Sequence, residues 1–235
     1  MVEIVLDGPG KNALSLEMLE SLLERLGRAG GRPVLLTGAG DAFSAGLHLK
    51  QLASLDETRM RAFLHLVDRC FTELYQYPGP TVALVNGHAI AGGAVLCQCC
   101  DHRVGTEAEG CRIGLNEVAL GVRFPPRTLA LVRRRLAAQS VDRVLLGAAL
   151  FDPRQALALG MLDELSPDPA PLARQRLSEL SRHPAGVYAA TKAALRGATP
   201  QDLLSDADHA AGLEDALPAW TSPATRERIL AVLRR

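Results

Sequence analysis

"TVALVNGHAIAGGAVL", residues 81–96, contains no Asp, Glu, Lys or Arg and sets Gly92 and Gly93 side by side among apolar residues. "TVALVNG" (81–87) reads as a short, fully buried strand, and a helix is expected to begin near Gly92 and run to about residue 99. Glycine weakens helices and strands alike, so a buried pair implies that backbone is brought close to something. The same order of buried strand, small residues and helix start occurs earlier, in "TGAGDAFSAGLHL" (37–49), where the chain turns through Gly46 into Leu47. A helix N-terminus has free N–H groups and the positive end of the peptide dipoles. Two such groups aimed at one point would make an oxyanion hole. The spacing alone equally fits two tight turns with close strand–helix packing.

Outward from this stretch, strands and helices alternate. "VEIVLD" (2–7), "VLLTG" (34–38) and "HRVGT" (102–106) read as strands, and "CRIGLNEVALG" as a short strand followed by a turn. Helices are expected at 15–29, with Ser15 as N-cap, and at about 56–76, 126–138, 140–147, 153–158 and 170–182. Residues 185–235 are expected to be helical throughout. The pattern is α/β, divided into a core over 1–184 and a C-terminal helical region over 185–235.

Lys plus Arg and Asp plus Glu number 26 each among 235 residues, so net charge is zero. That balance, with five Phe, three Tyr and one Trp, disfavours a nucleic-acid-binding role. No apolar run reaches the length of a membrane span, and the N-terminus does not read as a signal peptide. Five cysteines without a targeting signal point to reduced thiols in a cytoplasmic setting. "CQCC" (97–100) lacks a second ligand pair at zinc spacing, so buried thiols are expected and no metal site. "RRR" (133–135) reads as an exposed helix face or subunit contact.

Together the blocks resemble one family. "PGKNAL" (9–14), "LLTGAGDAFSAGLHL" (35–49), "YPGPTVALVNGHAIAGG" (77–93), "CDHRVG" (100–105), "IGLNEVALG" (113–121) and "LGAALFDPRQALALGMLDEL" (146–165) follow one another as in the enoyl-CoA hydratase/isomerase, or crotonase, family. "SPATRERILAVLRR" (222–235) is similar to that family's last helix. The resemblance implies a crotonase-like spiral of ββα repeats with a C-terminal helical region that builds homotrimers, often paired into hexamers. It implies an acyl-CoA thioester as substrate and no cofactor, with a carrier-protein-bound pantetheine as the alternative carrier.

Matched position by position, the oxyanion donors fall on the backbone N–H groups of Leu47 and Gly92. The family's hydratases use two glutamates. One maps onto Val95, the other onto Glu117. Adding water needs a group to activate it and a second to handle the other proton. Moving a double bond needs one base, which takes a proton from C2 and returns it at C4. Glu117 alone therefore favours a Δ3–Δ2-enoyl-CoA isomerase, and its apolar neighbours would raise its pKa. Hydration or decarboxylation of a carrier-bound acyl group, or acyl-CoA binding without catalysis, are the other readings. Ala45, Gly46, Gly93 and Val95 are expected at the substrate, as is His48, which stands where most of the family has aspartate. Lys11 and Lys50 lie in blocks near the CoA phosphates in relatives. Asp101 and Arg103 are expected to be a buried pair, and Leu64, Val95, Val122 and Phe124 to wall the acyl pocket.

Overall fold

Strand residues buried on both sides need cover on both faces, and the parallel sheets of this protein receive it from connecting helices. The computed structural model describes residues 1–234. The N-terminal half runs β1 (Val2–Leu6), α1 (Pro9–Asn12), α2 (Leu16–Ala29), β2 (Val34–Gly38), β3 (Ala42–Ser44), α3 (Leu49–Ala53) and α4 (Glu57–Tyr75). Next come β4 (Thr81–Val85), β5 (His88–Ile90), α5 (Gly92–Cys99), β6 (His102–Thr106), β7 (Ile113–Gly114), α6 (Glu117–Leu120) and α7 (Pro126–Arg135). The rest is α8 (Val141–Leu145), α9 (Pro153–Ala158), β8 (Glu164–Ser166), α10 (Pro169–Leu180), α11 (Ala185–Arg196), α12 (Asp206–Thr221) and α13 (Pro223–Leu233).

One sheet has the order β1-β2-β4-β6-β8 and a second, smaller sheet the order β3-β5-β7, with every pairing parallel. The three middle turns of the chain, starting at β2, β4 and β6, each lay one strand in the large sheet, one in the small sheet, and then one or more helices, which is the expected ββα repeat. The small strands are two or three residues long; β7 falls where "CRIGLNEVALG" reads as a short strand, whereas β3 and β5 lie in what reads as glycine loops. Their ladder exists because Ala42 meets His88 and Ala89 meets Ile113 across the repeats, which no local pattern shows. β8 was likewise not expected; it joins the sheet edge by pairing with β6.

Strand side chains alternate between faces. Leu36, Ala83 and Val85 point into the main core with Phe43, Phe63 and Leu64, whereas Leu35, Val82, Leu84 and Val104 pack under Ala173 and Leu177 of α10. Helix starts follow local chemistry. Ser15 accepts from Met18 N–H ahead of α2, Asp56 from Arg59 N–H ahead of α4, and Asp152 and Gln155 form a reciprocal capping box at α9.

Three expectations need correction. Asp101 and Arg103 do not pair with each other: Asp101 holds Lys192 at 2.9 Å and Arg196 at 2.8 Å, and Arg103 holds Asp163 at 2.6 Å. Asp101 precedes β6 and Arg103 lies within it, and each takes an oppositely charged partner from a later segment, Asp101 from α11 and Arg103 from the residue just before β8. Arg135 is not on an open face. It donates to Gln98 O and Cys100 O at 3.0 Å, closing the C-terminal carbonyls of α5, and burial lowers its pKa to about 10. Leu64 is fully buried in the core and is not among the residues that line the candidate site's cavity. The five cysteines are buried free thiols, and no group of three metal-ligating side chains exists among the described residues.

Candidate active site

The loop after β3 is held from below by "PGKNAL". Asn12 Nδ2 donates to Ala39 O and Ala42 O at 2.8 Å, Ser44 Oγ donates to Asn12 O at 2.8 Å, and Gly46 N–H reaches Ser44 Oγ at 3.2 Å. Leu14 and Leu47 then form a parallel bridge in which Leu14 N–H donates to Gly46 O (2.7 Å) and His48 N–H to Leu14 O (3.1 Å). Backbone groups alternate in direction along an extended segment, so the intervening Leu47 N–H is turned away from Leu14. It has no backbone partner among the described residues.

The second loop approaches the first at Gly46, where φ is +86°. A Cβ on Gly46 would lie 2.7 Å from Ile90 O and 3.3 Å from Gly92 N, so only glycine admits this contact. Gly92 is the first residue of α5, and its N–H is likewise without a backbone partner. Gly93 is the close-packing glycine: a side chain there would run into the Ser44 carbonyl.

Leu47 and Gly92, whose amides have no backbone partner among the described residues, both line a cavity of about 430 Å³. Ala45, Leu47, His48, Lys50, Gly92, Val95 and Glu117 all line it, as do the expected wall residues Val122 and Phe124. Gly46 and Gly93 stand behind the lining and shape it through backbone contact. Lys11 is not brought in; in a left-handed conformation (φ 64°) its ammonium pairs with exposed Asp41 at 2.9 Å. Sequence reasoning missed Ala91, Asn116, Thr128, Leu150, Trp220 and three residues of α13, Ile229, Val232 and Leu233. The lone Trp was the available signal: its indole N–H donates to Arg123 O at 2.8 Å, fixing the ring as cavity wall.

Glu117 opens α6 and is 6% exposed, with Oε2 buried and unpartnered. Burial pushes its carboxyl up to about 8, opposed only by a backbone hydrogen bond. It is the one carboxylate among the described lining residues, and Val95, 1% exposed, supplies none. Two free amides and one proton carrier in an apolar cavity can hold an oxyanion and move a proton beside it.

The family model described as Enoyl-CoA hydratase/isomerase matches residues 1–217. A Thermus thermophilus protein with a provisional enoyl-CoA hydratase name is 40% identical over 169 residues, covering 68% of this chain and 65% of its own, just under two thirds. Human mitochondrial enoyl-CoA delta isomerase 1 is 30% identical over 207 residues, 85% of this chain and 68% of that protein. Among solved structures, human mitochondrial Δ3-Δ2-enoyl-CoA isomerase matches with a TM-score of 0.90 at 26% identity, covering 99% of this chain and 93% of that one. An enoyl-CoA hydratase from Bacillus halodurans matches with a TM-score of 0.83 at 27% identity, covering 97% and 95%.

Proposed function

The chain belongs to the enoyl-CoA hydratase/isomerase family, with the crotonase fold, and on that premise we propose that it converts a 3-enoyl-CoA into the 2-enoyl-CoA. The family acts on acyl-CoA and needs no cofactor. The thioester oxygen accepts from Leu47 N–H and Gly92 N–H. Glu117, as carboxylate, takes a proton from C2; the electron pair spreads over the thioester and the former C3–C4 double bond as a dienolate. The protonated Glu117 then returns that proton to C4, leaving the double bond between C2 and C3. Removal of one oxyanion donor costs on the order of 3–4 kcal/mol in barrier.

The observation that carries this reading is the lone carboxylate: Glu117 is buried in the cavity wall, and Val95, to which the resemblance assigns the family's other acid, is an apolar lining residue. An apolar side chain cannot orient or deprotonate water. The hydratase name of the Thermus relative favours a second reading, in which His48, also on the cavity wall, handles the second proton. Lys50 at the mouth suits a CoA phosphate. Buried free thiols fit a reducing, cytoplasmic setting.

The deciding assay offers trans-3-hexenoyl-CoA and trans-2-hexenoyl-CoA to wild type and Glu117→Gln, following enoyl-thioester absorbance. Growth of conjugated absorbance from the 3-enoyl substrate, abolished by the substitution, supports the isomerase. Inertness there with loss of absorbance from the 2-enoyl compound overturns it in favour of the hydratase.

A further inference from the structure

Ala91 holds φ 49° and ψ −120°, a conformation that belongs to glycine at the first corner of a tight turn. An L-residue held there is strained, and such strain persists only where the surroundings over-determine it. Here they do: Ala91 N–H donates to Gly114 O at 2.8 Å, and Ala91 C=O accepts from Val95 N–H at 2.9 Å. With both flanking peptides tied, the strained φ and ψ decide where the Gly92 N–H points. The next two residues are glycines, yet the strained place carries a methyl. That methyl lies against the other loop, 3.1 Å from where a Gly46 Cβ would stand, and Gly46 directly precedes Leu47. Ala91 also lines the cavity.

We propose that Ala91 is a positioning residue, whose methyl, held in a glycine-type backbone conformation, spaces the Gly46–Leu47 segment from the Ala91–Gly92 peptide and so sets the two donor N–H groups against one point. The proposal rests on the two-donor part of the function above and is independent of whether the chemistry is isomerisation or hydration. Glycine at 91 relieves the strain and removes the spacer together, so stability and donor geometry move in opposite directions.

The test uses the full chain, with wild type, Ala91→Gly and Ala91→Ser bound to trans-2-hexenoyl-CoA. The carbonyl stretch of the bound thioester is read by Raman difference spectroscopy, beside Kd, Tm and kcat on the active substrate. Expected for Ala91→Gly is a Tm unchanged or raised by up to ~4 °C. Its carbonyl red-shift falls by at least about half and kcat by roughly tenfold, with Kd within about threefold, as for an interaction made mainly in the transition state. Ala91→Ser keeps the Cβ and retains the shift. A full carbonyl shift with unchanged kcat in Ala91→Gly overturns the proposal, as does a Tm lowered by more than ~4 °C, which would remove the strain. A wild-type complex with no carbonyl shift overturns the two-donor reading itself and this proposal with it.

Discussion

Glu117 combines two demands on one side chain, since it must be anionic to accept a proton and neutral to give one back. Burial that lifts its carboxyl to about 8 brings the two states close in energy near neutrality. The free enzyme must be ionised to begin, so kcat/KM is expected to rise with pH and level off above about 8; a flat profile from pH 6 to 9 would exclude Glu117 as the base. Glu117→Gln is expected to lower kcat by roughly 10²–10⁴-fold. The same shift has a stability consequence of definite sign. Between an ordinary 4.5 and about 8 the folded protein keeps a proton that the unfolded chain releases, so stability is greatest below this window and falls as pH rises through it. The loss approaches ~5 kcal/mol at most, and urea unfolding of Glu117→Gln at pH 6 and 9 should show it largely removed.

At the scale of elements, the site depends on how closely α5 and α7 approach their neighbours. Gly93 lets the start of α5 rest on β3. In Gly93→Ala the new methyl meets the Ser44 backbone, which cannot yield as a flexible side chain would. A loss of ~1–3 kcal/mol in thermal or chemical unfolding is expected, together with loss of activity, because the Gly92 amide moves with its helix. The first turn of α7 is held by Asp68 of α4, whose Oδ1 accepts from Thr128 N–H at 2.8 Å and Thr128 Oγ1 at 2.7 Å, placing Thr128 in the cavity wall. Asp68 is 1% exposed, and His209 of α12 stands 3.3 Å from its Oδ2. Asp68→Ala strands those Thr128 donors and should cost about 1–3 kcal/mol, measured by denaturant titration.

Over the whole molecule, α11 is turned inside out. Its two cations and Tyr188 face inward: Lys192 donates to Gly79 O and to Asp101, Arg196 to Tyr75 O and Cys99 O, and the Tyr188 hydroxyl to Asp101. Its apolar residues face outward, with Val187 64% and Leu195 77% exposed. A helix that gives its buried side to ion pairs and leaves branched aliphatics outside is suited to a second copy of the chain, which supports the homotrimer or hexamer expected from the family resemblance. Leu195→Glu is expected to shift the mass in sedimentation equilibrium toward the monomer; an unchanged assembly would place the interface elsewhere.

What the residues determined by themselves is the part carried by local patterns. Strands buried from end to end, Ser15 and Asp56 as caps, the glycines of the two loops and the block order in "GLNE" made the α/β class, the resemblance and the candidates Leu47, Gly92 and Glu117 legible. Only the tertiary structure decided which groups meet. The two- and three-residue strands of the small sheet are defined by partners a repeat away, and the ion partners of Asp101 and Arg103 lie about 60–95 residues along the chain. The cavity takes Trp220 and Ile229 from the last two helices, far along the chain from both glycine loops, and the lone Trp by itself does not say which wall it joins. Periodicity and capping act within a few residues, whereas a cavity wall is set by packing between distant segments, and the left-handed turn at Ala91 is imposed by hydrogen bonds to its neighbours rather than chosen by alanine.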